Sequence, residues 1–302
     1  MHALILADRL GHELWPLTDK RPLSLLPIAN KPVLQLVIEE LFQLGVRNAA
    51  IVSSLHSRLV STYFGSGRAL GMELTHIVVG THCGVEEGLK LAGIDPAGDW
   101  LAVRGDILRP FGFLEEALAR REKAAASSVF NAMGIALPGR GGKITSDIRW
   151  QAVRAFESLG PCHLKSLYDY HQANMLAVQG DLPDFILPGR PTEQHIAIGQ
   201  QAVVLAPSLT RRTIIGRHCL IDRNVVLGEG AIIGDGSIVD NGALIKESVI
   251  LPGSYVGAME VERSIVDGAR IFCCDSGAIM DLTGSSLAGL NLRHPHAEFA
   301  MT

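Results

Sequence analysis

TIIGRHCLIDRNVVLGEGAIIGDGSIVDNGALIKESVILPG, residues 213–253, repeats itself every six positions. Stepping by six from Leu209 gives Ile215, Ile221, Leu227, Ile233, Val239, Ile245 and Leu251, all aliphatic. The positions just before them, Ile214, Leu220, Val226, Ile232, Ile238, Leu244 and Ile250, form a second row that Val256 continues. A sustained hexapeptide period is the mark of a parallel β-helix. Each six-residue unit is one flat side of a triangular coil, and one aliphatic row points inward to stack on the next coil. Glycines recur beside these rows at 216, 228, 230, 234, 236, 242 and 253. They are expected to turn the corners, where a positive φ is needed. The period slips after Gly257 and returns at Ile265 and Ile271, which places an irregular coil near 257–264.

Upstream of the repeat, strand and helix patterns alternate. His2–Leu6, Ala49–Val52, Leu74–Val79, Trp100–Val103 and Ser127–Ala136 have the short apolar character of strands. Helical spacing follows Pro32 at Val33, Val37, Leu41 and Leu44, and Gly45 stops it. Further helices are expected at His56–Tyr63, Val85–Ala92 and Phe113–Lys123. This order predicts an α/β domain with a mostly parallel, Rossmann-like sheet, whose ligands bind at the carboxyl ends of the strands. A Pro- and Gly-rich segment then begins at Gly180. The expected domains are 1–180 for the α/β part, 181–205 for a linker, 206–286 for the β-helix and 287–302 for a tail.

Composition narrows the function. The chain has 302 residues, 47% hydrophobic, enough for about two domains with full cores. A net charge of −4 argues against nucleic acid as the main partner. The five cysteines match neither a zinc pattern nor a secreted disulfide framework, so reduced thiols are expected. The sequence has no signal-peptide pattern and no apolar run of the ~20 residues that span a bilayer. A cytoplasmic protein is expected.

The loop after the first strand runs Ala7-Asp8-Arg9-Leu10-Gly11-His12-Glu13-Leu14-Trp15-Pro16-Leu17-Thr18, followed by Arg21-Pro22-Leu23-Ser24-Leu25-Leu26-Pro27-Ile28-Ala29-Asn30-Lys31-Pro32. It resembles the signature of the sugar-1-phosphate nucleotidyltransferases (NDP-sugar pyrophosphorylases), A-G-G-x-G-T-R-L-x-P-L-T followed by P-K-x-L-L-P-I-x-x-K-P. Some members of that family carry a C-terminal left-handed β-helix. The frame of the signature is intact at Ala7, Gly11, Leu14, Pro16, Leu17, Thr18, Pro22, Leu25, Leu26, Pro27, Lys31 and Pro32. Arg104-Gly105-Asp106 resembles the family's N-G-D, whose aspartate binds magnesium. Tyr168-Asp169-Tyr170-His171-Gln172-Ala173-Asn174 resembles the end of its second metal motif, with Asp169, Tyr170, Ala173 and Asn174 matching. Gly80-Thr81 resembles the start of its base-reading loop, though a strand-to-helix turn with a Thr cap is the favoured reading.

The departures fall on the groups that handle phosphate. Asp8 and Arg9 stand where the family has two glycines that let backbone wrap the phosphates. Glu13 replaces its arginine, a charge reversal where a lost cation commonly costs ~10³-fold or more. Leu23 replaces its lysine, and His163 takes the second metal-ligand position, where imidazole suits magnesium poorly. The interval between Asp106 and Pro161 is short, and the V-E-K-P strand of the sugar-phosphate site is missing. Glu13 with Arg9 or Arg21 offers a salt-bridged loop in place of phosphate contacts.

The expected function is therefore a nucleotidyltransferase-fold protein of nucleotide-sugar or polysaccharide metabolism that is catalytically degenerate, regulatory or structural. No residue is assigned a catalytic role. Gly11, Gly80, Thr81 and Asp106 are vestigial nucleotide-binding candidates. Asp106 is also the metal candidate, although a solvated residue at a strand end is the favoured reading. No cofactor is expected, with Mg²⁺ needed if the chain is active. The alternatives are an active enzyme making NDP-sugar and pyrophosphate from an NTP and a sugar 1-phosphate, or, less well supported, a β-helix acyltransferase using His218 as base. The expected partners are copies of itself, meeting through the β-helix, and an active paralogue or other biosynthetic protein. Of Cys273 and Cys274, one is expected buried and one exposed. His294 and His296 do not make a metal site.

Overall fold

The structure is a computed structural model. It describes residues 1–80, 82–109, 114–115, 118–119, 129–130, 134–137, 164–182, 187–188, 190–191, 195–205 and 207–282. Thr81, His163, His294, His296, the tail 287–302 and most of the expected helix 113–123 lie outside the described residues. The chain divides into two compact units, Met1–Asp169 and Tyr170–Thr302. None of the helices among the described residues is long and apolar enough to cross a membrane.

In the first unit, strand β1 (His2–Ala7) is central. Helix α1 (Val33–Gln43), β2 (Asn48–Ser53), α2 (Ser57–Phe64), β3 (Glu73–Val78), α3 (Val85–Leu91) and β4 (Trp100–Arg104) follow in order. The sheet runs β3-β2-β1-β4 with all four strands parallel. Two short antiparallel strands, β5 (Val129–Phe130) and β6 (Ile135–Ala136), complete the edge beside β4. The single strand expected over 127–136 is thus two, because the chain turns back at Gly134, where φ is 61°.

Both faces of β1 are buried, which explains its unbroken apolar run. Ala3, Ile5 and Ala7 pack with Leu34, Ile38 and Leu41 of α1, while Leu4 and Leu6 pack with Val85, Leu89 and Trp100 on the other side. The chain adds β2 and β3 on one side of β1, then returns to add β4 on the other. Strand order reverses there, so the carboxyl ends of β1 and β4 flank the crevice where such sheets hold ligands.

In the second unit the two-residue strands stack in parallel ladders. Ile214 pairs with Ile232 and Ile232 with Val249, while Leu220 pairs with Ile238, and Val226 with Leu244. Ile215, Ile221, Leu227, Ile233, Val239 and Ile245 form the inner core, as the six-residue period predicts. The inner row then continues through Ile250, Val256, Val261 and Val266. The shortening therefore begins after Ile245 rather than after Gly257, and Ile250 rather than Leu251 carries the inward row. Strands Arg270–Cys273 and Ile279–Asp281 run antiparallel and close this end of the ladder, so Ile271 no longer belongs to a coil. Cys273 and Cys274 are both half-buried in that turn, correcting the expected split.

The glycines divide into two kinds. The corners recur at Arg212, His218, Asn224, Gly230, Gly236 and Gly242, all with positive φ, so His218 is a corner residue. Gly216 and Gly234 serve close approach instead. A Cβ on Gly234 would lie 2.5 Å from the Pro252 backbone nitrogen in the next coil, whereas one on Gly236 (φ 68°) would meet nothing. Gly236→Ala is expected to cost about 1–2 kcal/mol in backbone strain. Gly234→Ala, which must push coils apart, is expected to cost more, up to about 3 kcal/mol. Urea unfolding followed by circular dichroism ranks the two, and the opposite order contradicts the packing account.

Helix α4 (Leu167–Gln179) spans the boundary between the units. Its start is capped reciprocally: the Asp169 N–H donates to Ser166 Oγ (3.1 Å) and Lys165 N–H to Asp169 Oδ2 (3.2 Å). Within the second unit, His171 Nε2 donates to the Glu247 carbonyl at 2.6 Å, leaving its buried Nδ1 without a partner. Burial pushes the His171 pKa below its ordinary value, and the Glu247 carbonyl only partly offsets that. The folded state thus takes up a proton on His171 less readily than the unfolded chain, where it titrates near pH ~6.5. Stability from this group is present above that pH and falls as pH drops through and below it. His171→Gln is expected to flatten the slope of stability between pH 7 and 5. An unchanged slope contradicts the assignment.

Candidate functional site

The loop following β1 is held by packing. Leu14, Leu17, Leu23, Leu26 and Ile28 are fully buried. Gly11 adopts φ 72°, and a Cβ there would lie 2.9 Å from Leu23 Cδ1. Thr18 Oγ1 donates to the Gly11 carbonyl at 2.8 Å. Leu23, at the position expected to offer phosphate a lysine, is instead core that rests on Gly11.

At the crevice, Asp8 and Asp106 are 2% and 1% exposed, and Arg104, 4% exposed, joins them. Arg104 Nη1 donates to Asp8 Oδ1 at 2.9 Å. Its Nε and Nη2 donate to the two oxygens of Asp106, at 2.9 and 2.7 Å, in a bidentate fork. Arg9 Nε lies 3.4 Å from Asp106 Oδ2, and Arg9 Nη2 pairs with Glu13 Oε1 at 2.7 Å. The same Nη2 reaches the Leu164 carbonyl at 3.1 Å. The remaining Asp8 oxygen accepts from the Cys83 backbone N–H (2.6 Å) and lies 2.9 Å from His82 Nδ1. Farther back, Arg109 Nη2 donates to the Arg104 carbonyl (3.1 Å) and its Nε lies 3.9 Å from Glu40.

Local folding explains why these groups meet. Arg104 ends β4 in register with Leu6 of β1, so it lies beside the strand end that leads into Asp8. Gly105 has no room for a side chain, because a Cβ would lie 2.8 Å from Leu34 Cδ1. Gly134 leaves space for the Arg104 stem, since a Cβ there would sit 2.4 Å from Arg104 Cγ.

Burial opposes ionisation of Asp106, but Arg104, with Arg9 behind it, outweighs burial and holds the carboxyl below the usual range. Burial likewise opposes the Arg104 charge, and the two carboxylates outweigh it and raise its pKa further. Burial pushes the Cys83 thiol up to about 11, with Glu87 and Asp8 adding to it, so it is no nucleophile at neutral pH.

These contacts correct the reading of Asp106. It is neither solvated nor open to a metal. Magnesium needs oxygen ligands in near-octahedral geometry at about 2.0–2.1 Å, and both Asp106 oxygens already accept from a guanidinium. The donor set does not fit the ion. Among the described residues no group of three or more His, Cys, Asp or Glu is placed to hold a metal. Gly80 follows β3 with open space around it, and Thr81 is not described. Sequence reasoning offered Arg9 or Arg21 as the partner of Glu13, and the structure has Arg9 there, but it missed the roles of Arg104 and His82. The compensating signal was present: an acid at position 8 and a base at position 104 both depart from the resembled motifs.

The profile of the family described as Nucleotidyl transferase matches residues 2–156, and that of Bacterial transferase hexapeptide (six repeats) matches residues 212–247. The low-salt glycan biosynthesis nucleotidyltransferase Agl11 of Haloferax volcanii is 33% identical over 86 residues, 28% of this chain and 24% of that protein. The bifunctional protein GlmU of Methanococcus vannielii is 27% identical over 115 residues, 38% of this chain and 27% of that protein. A UTP–glucose-1-phosphate uridylyltransferase of Staphylococcus haemolyticus is 35% identical over 72 residues, 24% of this chain and 25% of that protein. The match thus spans about a quarter of the length of each relative. Among solved structures, a putative glucose-1-phosphate thymidylyltransferase from Bacillus anthracis, in complex with a sucrose, is 22% identical at a TM-score of 0.36, covering 44% of this chain and 57% of that one.

Proposed function

The chain belongs to the nucleotidyl transferase family, and from that premise we propose that it is a catalytically silent member serving nucleotide-sugar metabolism as a regulatory or structural subunit. The observation that carries this reading is the bidentate grip of Arg104 on Asp106, with Asp8 on its other side. A nucleoside triphosphate brings a large negative charge and a divalent ion. Here the buried Asp8 carboxylate replaces bare backbone, Asp106 is already engaged, and the cation that serves both is part of the chain.

The residues shared with the family motifs divide in the same sense. Leu14, Leu17, Leu26, Tyr170, Ala173 and Asn174 are fully buried, and Asp169 caps a helix. These retained residues hold the fold, Asp106 is retained but gripped by Arg104, and the replaced positions 8, 9, 13 and 23 are those where the family handles phosphate. The relatives named for glycan biosynthesis and for glucose-1-phosphate uridylyl transfer support the metabolic setting.

Pyrophosphate release by the full chain, with Mg²⁺, a panel of NTPs and a panel of sugar 1-phosphates, tests the proposal. Turnover at least ~10³-fold below the common enzyme range of about 1–10³ per second is expected. Turnover within that range, abolished by Asp106→Asn, establishes the active enzyme instead.

Self-association through the β-helix is part of the same proposal. Val203, Leu220, Ile238 and Tyr255 stack in register on one ladder and are each 40–50% exposed. Such an outward apolar row suits a second copy. Sedimentation velocity is expected to show an oligomer that Ile238→Arg weakens, and a monomer at all concentrations contradicts it.

A further inference from the structure

We propose that Arg104 is the permanent counter-cation of this crevice, lodged where a divalent ion would have to bind, so that the native chain is indifferent to metal and loss of Arg104 creates a divalent-cation site on Asp8 and Asp106. The proposal rests on the silent reading above and adds to it the residue that enforces it.

Three observations carry the inference. First, the guanidinium satisfies both acids at once: Nη1 on Asp8 at 2.9 Å, Nε and Nη2 on Asp106 at 2.9 and 2.7 Å. Second, all three side chains are almost wholly shielded, so bulk water cannot take over the guanidinium's role. Two ionised carboxylates facing one dry space require a cation. Third, the backbone is shaped around this arginine. Gly134 would strike Arg104 Cγ with any side chain, and Arg109 caps the Arg104 carbonyl.

Without the guanidinium, the vacated space is bounded by carboxylate oxygens, the donors that hard divalent ions prefer. Arg9 is the competing cation. It lies farther from Asp106, at 3.4 Å, and shares its charge with Glu13 at 2.7 Å, so it does not replace the fork.

Arg104→Met keeps an unbranched apolar stem and removes every donor. Mn²⁺ is the probe, followed by the loss of its free-ion paramagnetic resonance signal in the full chain without nucleotide. Wild type and Arg104→Lys, which retains a cation, are expected to bind no Mn²⁺ at this site. Arg104→Met is expected to bind one ion per chain, to unfold at a higher temperature as Mn²⁺ rises, and to lose both effects when Asp106→Asn is added. If Arg104→Met does not fold alone, it is expected to refold on adding millimolar Mn²⁺.

Failure of Arg104→Met to bind or be rescued by Mn²⁺ overturns the inference, as does Mn²⁺ binding by wild type that Asp106→Asn removes. Because no nucleotide is present, this outcome is separate from the turnover assay that judges the silent reading.

Discussion

Arg104→Met is expected to lower the unfolding free energy of the N-terminal unit by about 3–5 kcal/mol, the usual cost of removing one partner from a buried ion pair. Asp8 and Asp106 remain buried after the change, and nothing in the exchange offsets their lost hydrogen bonds. Trp15, Trp100 and Trp150 all precede Tyr170, and Trp100 lies in the core with Leu4 and Leu6, so tryptophan fluorescence reports this unit. The pH dependence adds a sign. In wild type the Asp106 pKa is depressed. Its stabilisation is present above the ordinary carboxylate value of about 3.9 and is lost on acidification through the lower folded value. In Arg104→Met the main group that outweighs burial at Asp106 is gone, so this acid-sensitive stabilisation shrinks. A loss under about 1 kcal/mol with an unchanged pH profile contradicts the network.

Leu23→Lys restores the residue of the resembled signature, and it is expected to harm the fold without restoring nucleotide binding. Leu23 is fully buried against Gly11. The change removes apolar packing worth about 2–5 kcal/mol and obliges an ammonium to stay buried or pull the loop open. A loss of about 3–5 kcal/mol is expected by the same fluorescence assay. If the variant is as stable as wild type and gains affinity for a nucleoside triphosphate, the loop has room for phosphate and the account of a closed crevice fails.

Much of this was legible in the sequence because it rests on repetition. The row from Ile215 to Ile245 names the β-helix core, since each residue meets an equivalent neighbour in the next coil. Strands β1, β2 and β4 are visible because both of their faces are buried. The loop signature is visible because Leu14, Leu17 and Leu26 are packing residues, which tolerate little change. What stayed hidden depends on which strand ends become neighbours. Nothing local to Arg104 says that it reaches Asp8, nearly a hundred positions away. That contact needs the order β3-β2-β1-β4, which puts the ends of β1 and β4 side by side. Asp106 was misread for the same reason: its solvent exposure is decided by a side chain two residues away folding back over it. The glycine roles were only half visible, because Gly236 answers to its own φ while Gly234 answers to a backbone in the next coil.

The crevice between β1 and β4 is closed by its own charges. Titration calorimetry of the full chain with Mg²⁺ and each of the common nucleoside triphosphates tests this most directly. Neither saturable heat nor protection against thermal unfolding is expected up to millimolar nucleotide. Saturable binding that disappears in Asp106→Asn would contradict it, because the nucleotide-bound metal would then have displaced Arg104 from the carboxylate it holds.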